Sequence, residues 1–372
     1  MDTNEKVQTK SRLAWIDFAK FIGILFVLMN HIALNIPFIG EFGYVFCVPL
    51  FFVLAGYTYH QKEESFLQFL KQKARRLLLP YFTYSFFLFL FFFIKDYILT
   101  GKMNTITWNT FFPVLGIFYA RNSLYPLSAQ TNIPFMTILN SPMWFLPALF
   151  VTTVLFEVCM RLFGTSWKKL SLNNIMVFAL GIAVLYVAPF RFPWSLDTAL
   201  LFLVFMSSGY ILKPNMKAIA EMESRRNRDN VKFPVHILAL IILLMISVGM
   251  VFWNGPVNYS MGDFGHTVFT GTMVGIISSY SIMLLCYLLR NHIPTGAALI
   301  GRSSLVIMCL HMFVFMFLKT GIQILFPTLL EENSIASVFA KAMCISVTFA
   351  VLTIFDLWMQ MRKSKTGRKQ NG

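Results

Sequence analysis

The sequence predicts an all-α protein, a polytopic membrane bundle of about ten transmembrane helices with both termini cytoplasmic. Three observations predict it. Of the 372 residues, 57% are hydrophobic and only 13% are charged, whereas soluble domains run near a quarter charged. Apolar runs of about 20 residues, enough for one helix to cross a bilayer, recur along the chain. The basic residues alternate between successive loops. With the N-terminus inside, the cytoplasmic segments 1–13, 61–76, 164–173, 213–232, 290–302 and 362–372 hold 3, 5, 2, 6, 2 and 5 Lys or Arg. The opposite loops hold only Lys95, Lys102, Arg121 and Arg191. That asymmetry is the positive-inside pattern, and moving by one span would scramble it.

In chain order, a polar tail over 1–13 precedes a membrane domain over 14–360 and a basic cytoplasmic tail over 361–372, read as disordered. The first span, Trp15 to Leu34, follows a basic tail. No small-residue cleavage pattern succeeds it, so it reads as an uncleaved span. The second span covers about Tyr44 to Tyr59. The charged segment Gln61 to Arg76 has Phe66, Leu67 and Leu70 at helical spacing and reads as a helix on the membrane surface. The third span covers Leu77 to Ile94. Residues 95–141 form the longest non-spanning segment, expected to fold over the outer face; loops of this length are often functional. Further spans lie near Pro142–Phe163, Asn174–Phe190, Trp194–Leu212, Pro234–Trp253, His266–Leu289, Ser303–Phe326 and Ile335–Met359.

Composition also excludes functions. The net charge of +15 is spread over short loops rather than one patch, so no nucleic-acid partner is expected. Cys47, Cys159, Cys286, Cys309 and Cys344 lie in or beside apolar spans without metal or redox spacing, and read as packing residues. Neither a metal site nor a resident cofactor is expected.

Chemistry concentrates in the first span. Asp17, Lys20 and His31 are ionisable at membrane depth, where such groups are costly and usually functional or paired. At about 100° per residue, Lys20 and His31 lie within roughly 20° of one face, and Asp17 within roughly 40° of His31. The result is a polar stripe with the charged pair at the cytoplasmic end and the imidazole about 16 Å further along. Imidazole is suited to take a proton from a hydroxyl. Basic side chains at the same cytoplasmic level, Lys71 to Arg76, suit phosphates. A buried base behind a cationic mouth fits an acyl carrier with a phosphorylated head and a long arm, such as coenzyme A.

Six stretches, in order, carry a resemblance to a known family. They are I-D-F-A-K-x10-H ending at His31, V-P-L-F-F-V-L-A-G-Y from Val48, and K-Q-K-A-R-R-L-L-L-P-Y ending at Tyr81. M-W-F-L-P-A-L-F from Met143, L-D-T-A-L-L-F-L-V-F-M-S-S-G-Y from Leu196, and G-R-S-S-L-V-I-M-C-L-H ending at His311 complete the set. Over about residues 12–360 the chain resembles the acyltransferase 3 family of integral membrane O-acyltransferases, in particular its fucose 4-O-acetylase-like and nodulation-factor acetyltransferase-like branch. The resemblance implies transfer of an acyl group, commonly acetyl, from cytoplasmic acyl-CoA to a hydroxyl of a cell-surface or lipid-linked glycan. The location it implies is a bacterial inner membrane. Acetyl-CoA would be a co-substrate rather than a bound cofactor, and the partners would be acyl-CoA, a glycan acceptor and membrane lipids. The family's basic-x10-His motif falls on Lys20 and His31, and its R-x-x-R motif on Lys73 and Arg76. Lys stands in the first place of each, which keeps the charge but loses the bidentate fork. The extra hydrolase-like domain of some members is not expected after the tenth span.

On this reading His31 is the catalytic base or a transient acyl acceptor, with Asp17 pairing with or orienting Lys20. Lys20, Lys73, Arg75 and Arg76 bind CoA phosphates, and Tyr81 faces the CoA channel. Trp144 is a stacking platform for the sugar or an interfacial anchor. Asp197 bonds acceptor hydroxyls or sits solvated at a span end. His311 completes the polar cavity or satisfies a neighbouring carbonyl. Glu157 and Asp356 are expected to pair with Arg161 and Arg362. The competing readings are a flippase for a lipid-linked sugar, which expects repeat symmetry not evident in the chain, and a non-catalytic partner in polysaccharide assembly.

The topology is directly testable. In a background whose native cysteines are replaced, Ser224→Cys should react with an impermeant maleimide only after the membrane is opened. Ser260→Cys should react in intact cells.

Overall fold

The computed structural model describes residues 13–34, 36–100, 108–121, 141–164, 166–225, 233–331 and 334–369. Twelve α-helices make up the described chain: α1 (Ala14–His31), α2 (Ile39–Thr58), α3 (Phe66–Thr100), α4 (Trp108–Tyr119), α5 (Phe145–Phe163), α6 (Trp167–Val187), α7 (Leu196–Arg225), α8 (Phe233–Asn254), α9 (Val268–Leu288), α10 (Thr295–Arg302), α11 (Ser304–Leu325) and α12 (Ile335–Lys369). Short 3-10 turns at Ser141–Trp144, Pro193–Ser195 and Tyr259–Met261 lead into α5, α7 and the loop before α9. No strand occurs among the described residues. Ten helices are long and apolar enough to cross a membrane, all but α4 and α10. The all-helical polytopic bundle expected from the sequence is the one observed.

Burial sorts the spans into centre and rim. It is highest along α5, α2 and α7, and lowest along α8, α3 and α6. Exposed apolar residues on α8, such as Leu238, Ile242 and Met245, suit a face turned to lipid, where hydrocarbon is as good a solvent as a protein core. At the centre, α2 and α7 approach closely through a reciprocal pair of glycines. A Cβ on Gly56 would stand 1.7 Å from the Met206 carbonyl oxygen, and one on Gly209 would stand 1.9 Å from that of Val53. Packing drives helix association in a bilayer, so small residues at such a contact let backbones meet. Aromatic rings fill the space beside it: Phe52 meets Phe202 at 4.7 Å and Phe145 at 5.4 Å between ring centroids.

Three helices run past the boundaries read from hydropathy. The charged segment before the third span is not a separate surface helix; from Phe66 it forms the first turns of α3. α7 continues through the expected polar loop to Arg225, and α12 continues through the basic tail, read as disordered, to Lys369. The cause is common to all three. Lys, Arg, Gln, Glu, Met and Ala end an apolar run but are good helix formers. Within the long segment 95–141, the described part is the end of α3 together with α4. Tyr81 donates a 2.6 Å hydrogen bond to the Ile117 carbonyl, and Ile117 and Ala120 are buried, so α4 lies against the bundle. The rest of that segment, most of the N-terminal tail and the last three residues lie outside the described residues.

Gly56→Leu should destabilise the protein by at least about 1–3 kcal/mol, the usual cost of overpacking. A lowered unfolding midpoint in detergent would show it. Gly249→Leu, with open space around it, should leave the midpoint nearly unchanged.

Candidate active site

The polar stripe expected on α1 exists, and each end has found its partners. Near the N-terminal end of α1 the Asp17 side chain is 1% exposed and meets Lys20 Nζ at 3.6 Å. Its other oxygen meets Arg302 Nε at 3.2 Å. Arg302 ends α10, whose approach depends on the preceding glycine: a Cβ on Gly301 would lie 1.8 Å from the Asp17 carbonyl oxygen. The Lys20 and Arg302 side chains remain 25% and 43% exposed. They therefore present positive charge outward while holding a buried carboxylate. Trp15 adds edge contacts to Tyr57 and Tyr287, and Arg290 lies over the Tyr287 ring.

At the far end, His31 closes α1, and its ring lies 5.1 Å from that of His311 on α11. His311 is fully buried. Its Nδ1 lies 2.8 Å from the Ile307 carbonyl one turn back. A carbonyl oxygen only accepts, so Nδ1 carries the proton and Nε2 bears a lone pair. That Nε2 is buried without a hydrogen-bond partner. His31 is partly exposed. One imidazole is thus accessible and the other fixed beside it with an unused acceptor. Two proton-accepting groups side by side within membrane spans can take a proton from a hydroxyl and hand it on.

The other basic residues expected at the cytoplasmic level lie on α3. Lys73 is partly buried over the Phe69 ring, while Arg75 and Arg76 are exposed. Beside them Glu157 accepts 2.7 Å and 2.6 Å bonds from Arg161 and Tyr59. The Tyr59 hydroxyl is pushed up in pKa, first by burial and then by that carboxylate, so it stays a neutral donor. Lys73 feels the charges of both Arg76 and Glu157, whereas Lys20 sits with Asp17. Asp17 thus anchors one group of the expected basic residues, and Glu157 stands beside another. Tyr81 is fully buried and its hydroxyl is spent on Ile117. It ties α3 to α4 instead of facing a channel.

On the outer side, Trp144 is buried against Phe145 and Phe202, so it is not an interfacial anchor. Asp197 is buried too, not solvated. Arg121 meets it at 3.2 Å and Arg191 at 3.8 Å. Burial lowers the pKa of both guanidinium groups, and Asp197 pulls each back up. The carboxylate also sits in the first turn of α7, where the helix dipole favours negative charge. Glu157 pairs with Arg161 as expected. Asp356 instead accepts from Gln360 at 2.8 Å, while Arg362 lies over Trp358.

A family model described as an acyltransferase domain matches residues 13–355, which include both histidines and all three ionic clusters. The chain belongs to the acyltransferase 3 family. No curated protein and no solved structure matches it. As a member of that family it is a multi-pass membrane acyltransferase.

For this acyltransferase, several residues at the candidate site escaped sequence reasoning. Arg302 stands in the family-like stretch that ends at His311 and was counted only as a loop charge. Arg121 and Arg191 are described cations of the expected outer loops, and the scarcity of charge there was the available signal. Lys319 and Lys341 lie inside spans, where any lysine is costly.

Asp197→Asn should leave two buried guanidinium groups facing each other and cost about 3–5 kcal/mol of stability. A strongly lowered unfolding midpoint, partly restored by adding Arg121→Gln, is the expected result.

Proposed function

We propose that this acyltransferase moves an acetyl group from cytoplasmic acetyl-CoA to a hydroxyl of a cell-surface or lipid-linked glycan, in a bacterial inner membrane. The observation that carries the proposal is the contact of the His31 ring at the end of α1 with the His311 ring on α11, 5.1 Å apart; basic side chains at the other end of α1 suit a cytoplasmic acyl carrier.

The reaction assigns one step to each part. Lys20, Arg302, Lys73, Arg75 and Arg76 hold the CoA phosphates from two sides, as charge-assisted donors. The pantetheine arm carries the thioester inward toward His31. A sugar hydroxyl enters from the outer side. His31 takes the hydroxyl proton as the oxygen attacks the thioester carbonyl carbon. The carbon–sulfur bond then breaks, and the thiolate leaves with the proton returned from His31. An O-acetyl ester and free CoA thiol result. His311 is a positioning residue. Its Nδ1–H is committed to Ile307, so its Nε2 lone pair is left to receive the N–H of the His31 ring when that ring turns toward it, an orientation that sets which nitrogen of His31 faces the acceptor.

His31→Ala should reduce acetyl transfer from labelled acetyl-CoA by about 10²–10⁴-fold, the usual contribution of general acid–base catalysis. Acetyl-CoA binding should persist. His311→Gln should give a smaller loss and a shifted pH profile. Undiminished transfer by His31→Ala would remove this imidazole from the mechanism.

A further inference from the structure

Lys319 on α11 and Lys341 on α12 lie at matching depth. Lys319 is six residues before the end of α11, and Lys341 six residues after the start of α12. Each is therefore about 9 Å inside its span at 1.5 Å per residue. Both side chains are only partly buried. They converge on the end of α1. Lys341 Nζ donates to the Ala33 carbonyl at 3.2 Å, two residues beyond His31. Ala33 adopts a left-handed φ of 57°, which ends the helix and turns that carbonyl outward. Lys319 lies two turns beyond His311 and acts electrostatically on His31 and Lys341. Among the described residues neither lysine has a carboxylate partner. Lys319 has no hydrogen-bond partner there either.

Two explanations need no ligand. Lysines near span ends extend their ammonium groups to the interface, and a cation suits the carbonyl-rich end of a helix. Lys341 meets the second through Ala33. Neither accounts for a second ammonium at the same depth, near enough to the first and to an imidazole to act on both electrostatically. Like charges at membrane depth raise each other's cost. Three other groups of cations are held by buried carboxylates: Asp17 holds Lys20 and Arg302, Asp197 holds Arg121 and Arg191, and Glu157 holds Arg161. Among the described residues the pair near His31 has no such carboxylate, and it lies at the opposite end of α1 from Lys20.

We infer that Lys319 and Lys341 bind an anionic group, carboxylate or phosphate, on the acceptor sugar, and so seat its hydroxyl over His31. The inference rests on the acetyl-transfer reading, for which it names the acceptor class as an acidic rather than a neutral glycan. Lys319 offers three donors and Lys341 the two that Ala33 leaves unused, enough to hold both oxygens of a carboxylate.

The test is equilibrium binding to the purified full chain in a neutral detergent. The probes are trigalacturonide, its fully methyl-esterified form and glucose 1-phosphate. The wild type should bind at least one anionic probe about tenfold or more tightly than the uncharged ester, as expected for a charge-assisted contact. Preference for the uronide assigns a sugar carboxylate; preference for glucose 1-phosphate assigns a glycosyl phosphate. Lys319→Gln should reduce anion binding to the level of the ester, Lys319→Arg should retain it, and acetyl-CoA binding should report that each variant is folded. Equal binding of charged and uncharged probes by the wild type would overturn the inference. So would full anion binding by folded Lys319→Gln, or loss of folding in Lys319→Gln with no charge preference lost in Lys341→Gln. His31→Ala should still bind the anion. If it also still transferred acetyl groups, the catalytic reading would fail while the anion site stood.

Discussion

The contact between Gly301 and the Asp17 backbone governs the rest of the candidate site. A carboxylate at the edge of the bilayer needs cations close by. Lys20, one turn along, supplies one. The second, Arg302, arrives only because the residue before it has no side chain and α10 can lie against the α1 backbone. Ser303 alone separates α10 from α11, so this contact also fixes where α11 begins. His311 stands nine residues beyond Arg302 on that helix. Its meeting with His31, the last residue of α1, is thereby tied to the ion pair between α10 and the other end of α1.

The ten spans were legible because a bilayer allows few solutions. An apolar run of the right length must be helical, with its backbone bonds satisfied internally, and the basic loops give its direction. The Lys20–His31 face was legible because it lies within one helix, where spacing alone fixes geometry. What spacing cannot give is the partner from elsewhere in the chain. His311 was visible as a histidine at mid-span, but its contact with His31 depends on how α11 is seated. Arg302, Arg121 and Arg191 were visible as loop charges, yet each is drawn to a carboxylate brought near only by folding. The ends of α3, α7 and α12 were misplaced for another reason: hydropathy reports where lipid stops, and helix propensity does not stop there.

The outer side shows two ways of treating excess positive charge. Around Asp197, two guanidinium groups share one carboxylate, and all three side chains are buried. The cluster fastens the segment after α4 to the start of α7, and the Trp194 ring nitrogen adds a bond to the Phe118 carbonyl. It is a closed arrangement that contributes to structure. Around His31, two ammonium groups share no carboxylate among the described residues and stay partly exposed. Desolvation sharpens the contrast: a charge neutralised inside the fold needs no ligand, whereas one held half out of water without a counterion gains most from receiving one.

The two histidines are unequal, and in the proposed reaction that inequality suits them to different parts. His311 is held by a carbonyl of its own helix, four residues back, a bond that survives any motion of α1. Its tautomer is therefore fixed before substrate arrives, at the cost of a buried lone pair with nothing to accept. An unsatisfied buried acceptor costs on the order of 1–3 kcal/mol. That cost is relieved whenever His31 turns an N–H toward it. The same turn commits the opposite nitrogen of His31, as a free base, to the open side of the pair. The penalty stored at His311 thus favours the one orientation of His31 in which it can accept a proton from an incoming hydroxyl. Burying the second ring completely, rather than exposing both, is what makes the first directional.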